Sequence, residues 1–411
     1  MENNIGKYAN ECVGCGVCAI VCPKNAIRME LNEKGYFSAY IRTDLCINCG
    51  KCEQVCPMED KHSGGVRYRA QSIYYACHKD RGIRYQSSSG GIASAIASTA
   101  LKEGYVVIGA GYCYEDNKVK HLVIDNEADL WKIIGSKYIP SDTVSAFSEI
   151  INYDKVMVIG TPCQICAIKS AYPDKDMLLV DFRCFGPADY NLWDRYLRYL
   201  NKINDSGIRR VNFRDKNRNW LIWGVEVEFC DGAVYKQNKL KDPFGICFSG
   251  EGYALENCLK CKEFRKNSYA DIRLEDAWNL LDYIKEDDLK YGASQVTIYN
   301  RRGAEFWQLC RNVVMARQVS LRYDSHNNTE LKFNRRLFDL ILSNKEKPLD
   351  EIVHEYKKRV PLYKKFFALV CNLMLYDIKI YALAKKTTKI IRGLCGKEMT
   401  SEKNDATAAG N

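Results

Sequence analysis

Two stretches decide how this chain is read: CVGCGVCAIVCP at residues 12–23 and CINCGKCEQVCP at residues 46–57. Each has the spacing C-x2-C-x2-C-x3-C-P, with Cys12, Cys15, Cys18 and Cys22 in the first run and Cys46, Cys49, Cys52 and Cys56 in the second. Three thiolates on one tight loop can reach three irons of a single cubane. The fourth opens the following turn, points elsewhere and ligates the other cluster of a pair. The spacing therefore assigns Cys12, Cys15, Cys18 and Cys56 to one 4Fe–4S cluster, and Cys46, Cys49, Cys52 and Cys22 to a second. Gly14, Gly16 and Gly50 let the backbone pass close to the sulfides and donate N–H hydrogen bonds. Zinc prefers two separated C-x2-C pairs to four cysteines packed into one short run. Eight thiolates around two clusters predict low-potential electron transfer, at about −400 mV.

Outward from this repeat, the chain of 411 residues is too long for one small ferredoxin and predicts two or three domains. An apolar content of 46% is enough for sizeable cores. Cysteine is the outlier, at 20 residues. The opening MENNIGKYANEC has no basic region followed by an apolar run, so no signal peptide is expected. Cysteines without a secretory signal read as metal ligands in a reducing compartment, and a cytoplasmic location follows as an expectation. The net charge is +10, but residues 331–398 hold 16 Lys/Arg against 7 Asp/Glu, which is +9 of that excess. The body is close to neutral and predicts no nucleic-acid partner. No apolar run is long enough to span a bilayer; the nearest, FFALVCNLMLY (366–376), ends at Asp377 and Lys379.

The segment KHSGGVRYRA (61–70) is polar, Gly-containing and basic, and reads as a linker. From Ser72 the pattern alternates. VVIGAGY (106–112), KVMVIG (155–160) and MLLVDF (177–182) read as buried strands, with helical stretches at 90–104 and 142–151 between them. This predicts a mixed α/β core with some parallel strands. RRVNFRD (209–215), WGVEVEF (223–229) and DGAVYK (231–236) read as antiparallel strands. After Pro348 the chain reads as helical.

A second set of cysteines sits in this α/β region. Cys163 follows one strand in GTPCQ, Cys184 follows another in DFRC, and Cys258 and Cys261 form a lone C-x2-C. Four cysteines at strand ends and on a loop suit a third 4Fe–4S site. On spacing alone a zinc pair or a buried thiol also fits, and Cys166 rivals Cys163 as a ligand. Cys77, Cys113, Cys230, Cys247, Cys310, Cys371 and Cys395 have no ligand-like grouping and read as ordinary thiols.

SSSGGIASAIAS (87–98), GSKYIPSD (135–142), GTPCQICAIK (160–169), DFRCFG (181–186), FRDKNRNW (213–220), CLKCKEF (258–264), DIRLEDAW (271–278) and GASQVTIYNRRG (292–303) stand in an order and spacing that matter. Over about residues 72–310 the chain resembles the beta subunit of coenzyme F-420 hydrogenases and dehydrogenases, in which an N-terminal dicluster ferredoxin is a frequent fusion. The resemblance implies bound FAD and a 4Fe–4S cluster in the body, with Cys163, Cys184, Cys258 and Cys261 as ligands. It also implies that Ser87, Ser88, Ser89, Gly90, Gly91, Gly135, Ser136, Lys137, Tyr138, Gly160 and Thr161 belong to the flavin site. Hydroxyls and free N–H groups at a helix start suit a pyrophosphate; an ordinary serine N-cap is the other reading of SSSGG. Lys137 is the catalytic candidate, placing positive charge at the flavin's electron-rich edge; the other reading is a solvated surface lysine. The chain departs from the family pattern at Phe185, where His is common, and at Glu275, where Gly is common. These changes bear on the deazaflavin substrate. Relatives also occur in bacteria in polysaccharide-synthesis contexts.

The expected architecture is thus an α+β ferredoxin-like dicluster domain (1–60), a linker (61–71), a mixed α/β flavin- and iron–sulfur-binding domain (72–345) and a helical basic tail (346–411). The expected partners are a ferredoxin or other redox protein docking near the N-terminal domain and a small-molecule hydride donor or acceptor. A non-catalytic relay or adaptor subunit is the alternative function. Lys364, Lys365, Lys385 and Lys386 flank the apolar stretch 366–376, which suits either peripheral contact with an anionic membrane or a helix packed on the body with a solvated basic face. There is no G-x-G-x-x-G after a strand and no Ser–His–Asp set, which argues against Rossmann and triad chemistry.

Overall fold

The computed structural model describes residues 6, 11–59, 69–216, 220–249, 257–258, 261, 268–321, 334–344 and 346–360. Residues 1–356 cluster as one compact unit and 357–411 as another. Within the first unit, the cysteine repeat folds around two one-turn helices, α1 (Val17–Ile20) and α2 (Lys51–Gln54). A hairpin of β1 (Ile27–Leu31) and β2 (Phe37–Ile41) lies between them. The segment 60–68, most of the expected linker, lies outside the described residues.

The body is built on a nine-stranded mixed sheet. In chain order its strands are β3 (Ser72–His78), β4 (Val106–Cys113), β5 (Lys118–Ile124), β6 (Ser141–Asp142), β7 (Lys155–Gly160) and β8 (Asp176–Phe182). After an interruption come β12 (Ile272–Asp276), β13 (Ser294–Ile298) and β14 (Val314–Val319). Their spatial order is β14-β3-β13-β12-β8-β7-β4-β5-β6. The four central strands β12, β8, β7 and β4 are parallel, and β5, β13 and β14 run antiparallel to their inner neighbours. Central parallel strands are covered on both faces, so they carry near-continuous apolar runs. The runs 155–160 and 176–182 show that pattern and are buried along most of their length. A separate antiparallel sheet holds β9 (Ile208–Asp215), β10 (Gly224–Phe229) and β11 (Val234–Asn238).

The helices sort by the same logic. α3 (Arg81–Gln86) begins at Asp80, whose carboxylate accepts from Ile83 N at 2.9 Å. α4 (Ile92–Lys102) packs Ile92, Ala95, Ile96 and Ala100 onto the sheet. The helix expected over 142–151 is shorter: α5 (Val144–Ser148) tightens into a 3-10 turn at Glu149–Asn152. α6 (Pro162–Ala171) follows β7 directly, with proline in its first turn where a missing N–H costs nothing. α7 (Tyr190–Ile203) lays Trp193, Tyr196 and Leu200 into an aromatic core with Phe213, Trp223 and Phe244. α8 (Pro243–Ser249) joins that core, as do the helices Arg335–Ser343 and Leu349–Arg359. Of the expected helical tail, the helix Leu349–Arg359 is described, while residues from 361 onward, including Lys364, Lys365, Lys385 and Lys386, lie outside the described residues. Among the described residues, no helix is long and apolar enough to cross a membrane.

Candidate functional site

The strand directions gather the motifs. β7, β8 and β12 are parallel, so Gly160–Thr161, Arg183–Cys184 and Asp276 all lie at one edge of the sheet, where open α/β folds bind ligands. β13 is antiparallel to β12 and pairs Ser294 with Asp276, so GASQ enters from that same edge. β3 is antiparallel to β13, so its last residues and the SSSGG loop after α3 emerge there too.

At this edge SSSGG, GSKY and GASQ are stitched together. Ser88 Oγ accepts from Ser136 N at 2.6 Å. Ser89 Oγ donates to Ala293 O at 2.7 Å, and Gly90 N donates to Ser294 Oγ at 3.0 Å. Ser87 Oγ donates to Ile83 O at 2.8 Å, closing α3. A serine N-cap for α4 is therefore not what forms. The cap is Gly91, at φ +80°, and no side chain occupies it. The first N–H groups of α4 are left without a side-chain cap, because the N-cap position is glycine and the Ser87 and Ser89 hydroxyls are turned toward Ile83 O and Ala293 O. A side chain at Gly90 would stand 2.8 Å from Ala76 O, so only glycine permits this approach to β3.

Lys137 is half-buried rather than a solvated surface lysine. Its Nζ donates to Ile134 O at 3.0 Å and Gly135 O at 3.1 Å, and burial pushes its pKa down to about 7. Tyr138 stacks on Phe248 with ring centroids 4.1 Å apart and packs against Trp223.

Three cations in and after FRDK surround this corner. No spacing marks them as functional, although Arg214 and Lys216 sit within a segment that carries the resemblance. Arg214 donates to Asp276 at 2.8 Å, and Asp276 also accepts from Trp220 Nε1 at 3.1 Å. The Tyr138 phenol lies beside the guanidinium, whose Nε and Nη2 are buried without a hydrogen bond of ordinary geometry. Lys216 is buried, and burial with Arg214 nearby depresses its pKa to about 6. Its three protons go to Arg84 O, Ser89 O and Tyr291 O at 2.7, 2.5 and 2.7 Å, an arrangement that favours the ammonium and ties SSSGG to FRDK. Lys239 lies over the Trp223 ring, with burial lowering its pKa to about 8.

The body cysteines converge around Gly186. Its N–H donates to Cys184 Sγ at 3.3 Å, and a Cβ there would stand 3.1 Å from Cys258 Cβ and 3.5 Å from its Sγ. Cys163 is close enough to Cys184 and Cys261 for their charges to raise its pKa, after burial itself. Thr161 lies 3.1 Å from Cys163 Sγ through its hydroxyl, and its N–H donates to Gln164 Oε1 at 2.8 Å. Gly160 and Thr161 thus adjoin the cysteine set. Cys166, one turn further along α6, lies near Cys56: its pKa is pushed up to about 12 by burial and then by Cys56. Glu275 is paired with Arg183 at 3.2 Å and accepts from Gln295 at 3.2 Å, and Arg183 lies over the Phe185 ring.

In the N-terminal domain, Cys12, Cys15, Cys18 and Cys56 line one cavity with Gly16, Met29, Ala39 and Pro57. Amide N–H groups aim at sulfur: Gly14 N donates to Cys12 Sγ at 3.4 Å and Ala26 N to Cys22 Sγ at 3.3 Å. Burial, and after it the neighbouring thiols, raises the pKa of Cys15 and Cys18, an effect that coordinated cations reverse. Cys22 and Cys52 share a small apolar cluster with Cys18 and Cys56. Cys46 is half-buried and Cys49 exposed. Among the described residues, no three His, Cys, Asp or Glu side chains converge as ligands of a single metal ion.

Comparison with known proteins finds matches in both parts of the chain. Residues 11–59 match the 4Fe-4S dicluster domain. Residues 73–148 and 153–320 match the N-terminal and C-terminal parts of the coenzyme F-420 hydrogenase/dehydrogenase beta subunit. An uncharacterised protein of Methanocaldococcus jannaschii is 26% identical over 239 residues, which is 48% of this chain and 64% of that relative, so the match spans less than two thirds of it. A chain of the F-420-reducing [NiFe] hydrogenase complex from Methanosarcina barkeri superposes with a TM-score of 0.45 at 19% identity, covering 71% of this chain and 92% of that one. From its N-terminal dicluster domain and the two matched halves of its body, the chain is an iron–sulfur redox protein that belongs to the coenzyme F-420 hydrogenase/dehydrogenase beta subunit family.

Proposed function

We propose that the chain is an iron–sulfur flavoprotein oxidoreductase. It binds FAD where SSSGG, GSKY and GASQ meet, and a third 4Fe–4S cluster at Cys163, Cys184, Cys258 and Cys261. The carrying observation is the pair of buried donors on Arg214 that lack a hydrogen bond of ordinary geometry, in a segment that Lys216 ties to the loop before the uncapped α4. An isolated buried donor costs about 1–3 kcal/mol, so a site that keeps two is built for an acceptor from outside the chain. The anionic, carbonyl-rich flavin nucleotide supplies such acceptors. Gly186 supports the cluster: its N–H aims at Cys184 Sγ, and the space that a Cβ would fill lies against Cys258.

When bound, FAD supplies hydride exchange with a small molecule and one-electron exchange with iron–sulfur centres. The residues do the rest. The α4 N–H groups, with Gly90 and Gly91 giving close approach, receive a pyrophosphate. Arg214, oriented by Asp276, donates to the flavin's polar edge. Lys137 supplies a proton or a positive charge there, and its lowered pKa makes either form accessible near neutral pH. Tyr138, Phe248 and Trp223 form an apolar wall that excludes water. Cys12, Cys15, Cys18 and Cys56 hold one N-terminal cluster, and Cys22, Cys46, Cys49 and Cys52 the other, at which a ferredoxin-class partner docks. Glu275 adds no unpaired charge, because Arg183 and Gln295 satisfy it.

The test is flavin binding by the anaerobically reconstituted chain. Stoichiometric FAD absorbance is expected in the wild type and loss of affinity in Arg214→Gln. A reconstituted chain that holds no flavin would sink the flavoprotein reading. Cys166→Ser leaves the iron content unchanged on this assignment; loss of one cluster would make Cys166, rather than Cys163, the ligand.

A further inference from the structure

The N-terminal domain meets the body through its hairpin, where Gly35 O accepts from Tyr190 N at 2.9 Å and Asn191 Nδ2 donates to Glu33 O at 2.9 Å, and through the loop of its first cysteine run. The Cys12–Cys18 loop is pinned from two sides: Thr143 Oγ1 donates to Cys15 O at 2.9 Å, and Asn257 Nδ2 donates to Cys12 O at 3.2 Å. Asn257 directly precedes Cys258, so a single hydrogen bond joins the body cysteine pair to the loop of the first set. Cys15 and Val17 sit in one apolar cluster with Phe147, Ile165 and Ile168 of the body. Helix α6 adjoins both sites, with Cys163 near Cys184 and Cys166 near Cys56. In the second set, Cys49 is exposed, and the adjoining Ile47 is 56% exposed, an unusual position for so large an apolar side chain.

We infer that the set Cys12, Cys15, Cys18 and Cys56 is the electron junction with the body, with Asn257 and Thr143 as its positioning residues, and that the set Cys22, Cys46, Cys49 and Cys52 is the outward-facing port, for which a reduced two-cluster ferredoxin serves as the one-electron probe. The order rests on the third iron–sulfur site proposed above. Each step moves one electron: the reduced ferredoxin is oxidised by one as the port is reduced by one, and the same electron then passes to the junction and to the body site.

The test uses the full reconstituted chain reduced with dithionite and read by electron paramagnetic resonance. The body signal is identified as the one lost in Cys258→Ala. It is expected to show splitting by a neighbouring reduced centre. Cys49→Ala is expected to lose one cluster's iron, retain that splitting and lose electron exchange with a dithionite-reduced two-cluster ferredoxin in stopped flow. The double variant Thr143→Val, Asn257→Ala is expected to weaken the splitting with its iron content intact. Disappearance of the splitting in Cys49→Ala, or undiminished ferredoxin exchange by that variant, overturns the order; unchanged splitting in the double variant overturns the two positioning roles. If Cys258→Ala removes no iron, it is the third site itself that fails, a separate result.

Discussion

Gly16 and Gly50 occupy the same place in the two cysteine runs. Each starts a one-turn helix from a left-handed backbone, at φ +79° and +72°. A methyl group on Gly16 would stand 2.2 Å from Thr143 Oγ1, whereas on Gly50 it would meet nothing within 4 Å. The repeat is thus symmetric in ligand spacing and asymmetric in surroundings. Spacing decides which thiols share a cluster. Which cluster faces the body is decided by residues far away in sequence, here Thr143 and Asn257.

The sharpest way to break this comparison is to put alanine at both positions. The left-handed backbone costs each variant about 1–2 kcal/mol. Gly16→Ala must also displace Thr143, a further cost of about 1–3 kcal/mol from overpacking. Anaerobic urea unfolding of the reconstituted chain reads the difference; equal losses would mean that the first run does not bear on the body. Next in size is Thr143→Val, which leaves the Cys15 carbonyl without this donor and costs about 1–3 kcal/mol. The same unfolding series measures it, and an unchanged midpoint would remove Thr143 from the contact.

Much of this molecule is legible in its sequence, for identifiable reasons. Strands 106–113, 155–160 and 176–182 lie at the sheet centre and announce themselves as apolar runs because both faces are covered. The cysteine runs are legible because cubane geometry tolerates few spacings. What stayed hidden depends on partners distant in the chain. Ser87 and Ser89 resemble helix caps, yet their hydroxyls go to Ile83 and Ala293, and only the paired register of β3 and β13 brings Ala293 near. Arg214 and Lys216 carry no spacing signal, and their partners are distant in the chain: Asp276 for the first, and the carbonyls of Arg84, Ser89 and Tyr291 for the second. Gly186, Asn257 and Thr143 carry no spacing signal at all.

A smaller effect sharpens the contrast between the N-terminal domain and the body. Lys137 is held near pKa 7 by burial, and the nearby His121 is kept neutral by burial at about 4. A depressed lysine pKa in the flavin-free chain means that binding an anion takes up a proton. Affinity for FAD is therefore greatest below about pH 7 and falls as pH rises. Fluorescence titration across that range should show the fall in the wild type and a flat profile in Lys137→Met; a flat wild-type profile would separate Lys137 from the flavin. The smallest expected effect is at the port. Ile47→Ser should change stability by no more than about 0.5 kcal/mol, because the side chain is exposed. A larger loss in the same unfolding assay would show that this loop is packed rather than presented.

The account stands most directly on how many clusters the body adds to the N-terminal pair. Iron analysis of the anaerobically reconstituted full chain is expected to give about twelve atoms per chain, falling to about eight in Cys258→Ala, as three cubanes become two. About eight atoms in both proteins would contradict it, leaving the dicluster domain without an iron–sulfur centre in the body to serve.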